Sequence, residues 1–191
     1  MDKKQKELLL KEFPILLEKF KLESDRGVVL VVTAMVENEL KAQLTKRLLA
    51  KAEAQDELLS NSATSPISTF SSKINLAFRI GLITNPERTV FHQLRKIRNR
   101  CAHEIDSQHF GQNHFKDHMR NIINAHPDIW DIMSKRLVPS QIAKEYEDVE
   151  HYLNELGWRV AFEAFFGLII AHKRISKHRI LPIIALSKIH N

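Results

Sequence analysis

The chain has 191 residues, 29 Lys and Arg against 23 Asp and Glu, and a formal charge of +6. That length suits a single domain with a real core, and five Gly and six Pro are too few for the turns of a β-sandwich. Abundant Leu, Ala, Lys, Glu, Ile and Arg point instead to an all-α bundle of five to seven helices.

Apolar positions Leu8, Leu9, Phe13, Ile15, Leu16 and Phe20 recur near a helical period over residues 3–22. Pro14 should end or kink that first helix. Ser24-Asp25 offers an N-cap for a second helix reaching about Ala54. Its section from Val28 to Val36 is apolar nearly all round, as a central helix would be, and Glu37 and Glu39 follow directly. Asn61-Ser62-Ala63-Thr64-Ser65-Pro66 is a polar loop, after which Ser68 or Thr69 can cap a third helix. Phe70, Ile74, Ala77, Phe78 and Leu82 form its stripe, and Gly81 stops it. Thr84-Asn85-Pro86-Glu87 restarts the chain with Pro in the first turn of a fourth helix, expected from about Pro86 to Ile105.

Residues 106–140 are the least regular, with a helix expected over 115–125 and a turn at His126-Pro127-Asp128. Pro139-Ser140 marks the start of a last long helix to about Lys173. Leu181-Pro182-Ile183-Ile184-Ala185-Leu186 is an apolar tail that would pack on the bundle or on a second subunit. The charge is unevenly spread. Glu145, Glu147, Asp148, Glu150, Glu155 and Glu163 make 144–163 acid-rich, whereas 172–191 carries Lys173, Arg174, Lys177, Arg179 and Lys188 and no acid. Such a basic tail suits a polyanion or an acidic partner, or it complements a helix C-terminus.

A lone Cys101 excludes an internal disulfide, and the lack of CxxC excludes a zinc ribbon or finger. His114 and His118 have the i, i+4 spacing that can hold zinc, but nothing beside them supports it, and surface histidines are the plainer reading. No phosphate-binding glycine loop and no GxSxG is present. No cofactor is expected, therefore. The charged N-terminus is unlike a signal peptide, and the longest apolar run, Ala164 to Ala171, is about a third of a membrane span. We expect a cytoplasmic protein with no membrane association.

The densest chemistry lies in Leu94-Arg95-Lys96-Ile97-Arg98-Asn99-Arg100-Cys101-Ala102-His103, where cations recur with no acid before Glu104. A helix that had only to be soluble would place acids at i+4 from its cations. On a helical wheel Val90, Leu94, Ile97, Cys101 and Ile105 share the core side. His92, Asn99 and His103 fall opposite, flanked by Arg95 and Lys96, with Arg98 at the margin of the apolar stripe. That face should meet solvent or line a subunit groove. Arg presents a fixed fork of donors to phosphate oxygens, and His can exchange a proton near neutral pH. Arg98 and His103 lie about 140° apart on an ideal helix. An opened helix or a two-fold partner would be needed to bring them to one phosphate. Cys101, on the core stripe, reads as an inert buried thiol.

Ser68-Thr69-Phe70-Ser71-Ser72-Lys73-Ile74-Asn75-Leu76-Ala77-Phe78-Arg79-Ile80-Gly81-Leu82-Ile83, followed by the segment Leu94 to His103, resembles the mannitol-operon repressor-like family, over roughly residues 24–110. Arg98-Asn99-x-x-x-His103 also resembles the HEPN superfamily of small helical bundles, often dimers. The first resemblance implies a transcriptional regulator without an obvious helix-turn-helix, and this chain offers no recognition-helix pair either. The second implies metal-independent RNA cleavage. His103 would assist the ribose hydroxyl or the leaving oxygen, Arg98 would stabilise the phosphorane, and Asn99 would orient them, with Glu37 a speculative fourth member. HEPN domains also occur as inactive binding modules.

Three functions follow from these expectations. The preferred one is a regulator acting on RNA or another nucleic acid, as a symmetric homodimer. It would use Arg98, Asn99 and His103, with Arg95, Lys96, Arg100, Lys173, Arg174, Lys177 and Arg179 as binding cations. The alternatives are an endoribonuclease toxin paired with an antitoxin protein, and an inactive protein-interaction module.

Overall fold

The computed structural model describes residues 3–51, 54, 56–103, 110–136 and 149–185, the side chains of 134–136 and 149–152 excepted. Among these residues all the regular secondary structure is helical, with eight α-helices rather than the five to seven expected. They are α1 (Lys3–Lys21), α2 (Asp25–Arg47), α3 (Phe70–Arg79), α4 (Asn85–His103), α5 (Asn113–Ala125), α6 (Pro127–Arg136), α7 (Val149–Leu156) and α8 (Trp158–Ser176). A short 3₁₀ turn, Lys177–Arg179, follows.

The central element is α8, not α2. Its run from Ala161 to Gly167 is buried on every side, and Phe162, Phe165 and Phe166 are fully enclosed. Phe162 meets Phe110 and Phe115 at ring-centroid distances of 5.3 and 5.8 Å, in the tilted arrangement aromatic pairs favour. α8 packs against α1, α2, α6 and α7. At Gly167 a Cβ would come within 3.0 Å of the Phe13 ring, so the missing side chain lets α1 lie close. α2 buries Val28, Val29, Val32, Val36, Leu40 and Leu44 but leaves Leu30 and Ala34 exposed, which makes it a layer beside α8.

Several boundaries differ from the sequence expectation for identifiable reasons. α1 runs through Pro14 without ending. Pro14 is on the exposed face, where the carbonyl it leaves unpaired can reach water, while Leu9, Leu16 and Phe20 on the other face stay in the core. α2 stops at Arg47, not Ala54. Leu48 turns extended, and the Arg47 carbonyl accepts from the Ile183 amide at 2.7 Å. The Arg47 guanidinium in turn donates to the Leu181 carbonyl at 2.8 Å. The described part of the tail is thereby tied along the end of α2, with Leu181 and Ile184 exposed. The expected last helix is interrupted at Gly157, whose φ of 89° only glycine adopts freely, so α7 and α8 are separate. Its first residues, 140–148, lie outside the described residues, as does Ile105 of the core stripe.

The start of α4 is doubly fixed. Thr84 and Glu87 cap each other: the Thr84 amide donates to Glu87 Oε2 at 2.8 Å, and the Glu87 amide to Thr84 Oγ1 at 3.3 Å. The same carboxylate pairs through Oε1 with Lys173 Nζ of α8 at 2.5 Å, and both side chains are about nine-tenths buried. Burial alone would raise the Glu87 pKa, but the Lys173 ammonium and the Thr84 amide outweigh it and hold the carboxyl below its usual range.

Breaking one side of such a pair strands a buried charge, so Glu87→Gln should cost about 3–5 kcal/mol in chemical denaturation at pH 7. Glu87→Gln with Lys173→Met should recover much of that loss. A carboxylate with a depressed folded pKa stabilises fully above its unfolded value and loses that contribution as pH falls through the folded one. The gap between wild type and Glu87→Gln should therefore close in acid, below the usual carboxylate pKa of about 4.3.

Candidate nucleic-acid interface

α4 packs against α2, α3 and α5, and its buried residues Val90, Phe91, Leu94, Ile97 and Cys101 leave a defined outer surface. Lys96, Arg98, Arg100 and His103 are exposed there, and Arg95, His92 and Asn99 are half-buried. None of the face residues lies in the core. From Arg88 to His103 the helix carries no acid.

Asn99 Oδ1 accepts from the Arg98 guanidinium at 3.2 Å, which holds two of the motif side chains together. α4 stays helical through His103, its last residue, so the helix does not open between Arg98 and His103. Within one chain the pair therefore keeps the wide angular separation of a regular helix. Arg95 Nε is buried without a hydrogen-bond partner, and Arg88 lies over the Phe78 ring, 5.0 Å from its centroid. Glu104 falls outside the described residues.

Two histidines border this face from the flanks. His92 Nε2 meets Asn75 Oδ1 of α3 at 3.2 Å, and His118 Nδ1 of α5 meets Gln93 Oε1 of α4 at 2.9 Å. Both imidazoles titrate below their ordinary value. For His92 the causes are burial and then Arg95, Arg88 and Lys96. For His118 they are burial and then Lys96, His114 and Arg100, opposed by Asp117. The arrival of His118 beside Lys96 and Arg100 could not be read from spacing on α5 alone, because the α4–α5 packing creates it.

The basic tail is placed differently. Lys173 is buried against Glu87. Arg174 joins Glu39 at 3.0 Å and Glu12 at 3.1 Å, and Lys177 meets Glu39 at 3.0 Å. Lys173, Arg174 and Lys177, expected to bind nucleic acid, are thus matched by acids of α1, α2 and α4, and Arg179 is exposed in the 3₁₀ turn. Glu37 is also engaged: its carboxylate takes the ammonium of fully buried Lys73 at 2.7 Å, in α3. Its role there is to satisfy Lys73, and no contact joins it to Arg98 or His103.

Among the described residues no three His, Cys, Asp or Glu side chains are grouped to hold a metal ion, and no helix is long and apolar enough to cross a membrane. Compared with protein-family models, curated proteins and solved structures, the chain matches none.

A bound polyanion favours the protonated imidazole, so it raises the depressed pKa values of His92 and His118 and the complex takes up protons. Affinity for single-stranded RNA should therefore rise as pH falls from 7.5 to 5.5, by roughly two- to fivefold per histidine. Fluorescence anisotropy at fixed ionic strength checks this, and His92→Gln with His118→Gln should flatten the dependence.

Proposed function

We propose that this protein is a regulator that binds RNA through the outer face of α4, as its resemblance to mannitol-operon repressor-like and HEPN proteins implies. The observation that supports the reading is the acid-free run of cations on one solvent face: Lys96, Arg98 and Arg100 exposed, with Arg95 beside them. Phosphates are drawn to cations grouped on a solvent face, where each contact releases condensed counterions. Lys173, Arg174 and Lys177 are engaged by Glu87, Glu39 and Glu12 instead, which favours α4 over the tail as the binding element.

Cleavage is the second reading, favoured by the Arg98–Asn99 hydrogen bond and the exposed His103 one turn further along the same helix. In that mechanism His103 exchanges the proton of the ribose hydroxyl or of the leaving oxygen, and Arg98 neutralises the charge that builds on the phosphorane oxygens. A homodimer would bring Arg98 of one copy toward His103 of the other, across a two-fold axis.

Binding of a fluorescent single-stranded RNA should weaken with salt at a log–log slope of about −2 to −3, as four phosphate contacts require. Lys96→Ala, Arg98→Ala and Arg100→Ala should each reduce that slope by about 0.7, and Lys177→Ala should leave it unchanged. Incubation with labelled total RNA in EDTA separates the readings. Intact RNA supports the binder, and fragments lost in both Arg98→Ala and His103→Ala support the nuclease. Salt-insensitive or absent RNA binding would refute both.

A further inference from the structure

Away from the α4 face, α1, α4, α6 and α8 line a partly open chamber of about 610 Å³. This lies within the range of roughly 300–1,000 Å³ common to small-molecule sites. Its walls are mainly apolar, from Leu9, Pro86, Ile129, Ile132, Leu168 and Ile169. Into this lining come a few polar groups: Glu87, His126, Asp128 and His172. The imidazoles of His126 and His172 make no side-chain hydrogen bond among the described residues, so each ring can offer a donor or an acceptor to an occupant.

Charge narrows the class of occupant. No Lys or Arg lines the chamber, while two carboxylates do. An anion would meet Glu87 and Asp128 with no cation to receive it. Glu87 is already engaged by Lys173 and Thr84, and Asp128 is a solvent-exposed lining residue in the first turn of α6, so an ammonium held among the apolar walls would have no enclosed, uncommitted carboxylate. Burying either ion in an apolar chamber without a partner is costly. Arg47, Lys173 and Arg179 line a separate cavity of about 420 Å³, to which Glu87 and His172 also contribute.

We propose that the chamber binds an uncharged, mainly apolar small molecule that carries one hydroxyl or amide group, the apolar body against Ile129, Ile132, Leu168 and Ile169 and the polar group at His126 and His172. This site is separate from the RNA reading and shares with it only the helix α4, whose first turn supplies Pro86 and Glu87.

The test uses N-phenyl-1-naphthylamine, an uncharged apolar fluorophore with one N–H donor, titrated into the whole protein. One saturable site is expected, with 1-decanol displacing the dye at least tenfold more effectively than decanoate or decylammonium. Leu168→Trp and Ile132→Trp, which fill the chamber, should each weaken dye binding at least tenfold. Leu22→Trp, on an exposed residue outside it, should not. Ile132 is already 38% exposed, so its variant decides the matter if Leu168→Trp lowers the thermal transition. Absence of saturable binding, unchanged affinity in folded chamber variants, or displacement by decanoate or decylammonium as good as by decanol would overturn the proposal.

Discussion

The Glu87–Lys173 ion pair does three things with two side chains. It completes the cap of α4, fastens that helix to the buried α8, and removes the most apolar-embedded tail lysine from the protein surface. A carboxylate that both caps a helix and neutralises a buried ammonium must stay ionised, which the Lys173 ammonium and the Thr84 amide secure. α4 therefore starts at a set position and angle, and the identity of its outward face follows from that start. Had Glu87 pointed to solvent, Lys173 would be a stranded charge in the core.

The same logic sorts the basic residues into two populations. Arg159 clamps the α1–α2 turn, bonding Asp25 and Glu163 and donating to the Phe20 and Glu23 carbonyls. Arg174 and Lys177 converge on Glu39, so α8 and its 3₁₀ extension are stitched to α2 by charge as well as by apolar packing. Such pairs give the bundle a defined register, because their geometry fails if one helix slides. The cations Lys96, Arg98 and Arg100 of α4 are exposed instead. Their field lowers the titration of His92 and His118 and stays available to an incoming polyanion.

The α4 wheel was legible from sequence because it depends only on the helical period: Val90, Leu94, Ile97 and Cys101 are buried, and Lys96, Arg98, Arg100 and His103 are not. The Thr69 cap of α3 was legible for the same local reason, its side chain accepting from the Ser72 amide. What escaped is nonlocal. Lys173 and Arg174 look like a cationic tail until Glu87, Glu39 and Glu12 arrive from elements far along the chain. Pro14 is a breaker by propensity, yet the apolar contacts on either side of it hold α1 in one piece. The break at Gly157 had a local signal, a glycine between Leu156 and Trp158, but its positive φ is fixed by how α7 turns onto α8. The α1–α4–α6–α8 chamber had no signal in the sequence, since four separate elements build it.

Central to this account is that α4, and not the basic tail, meets RNA. Hydrogen–deuterium exchange with and without a saturating single-stranded RNA tests that directly. Slowed exchange confined to peptides covering residues 92–103 and the adjoining face of α5 is the predicted result. Protection centred on residues 172–185, or no protection anywhere, would contradict it.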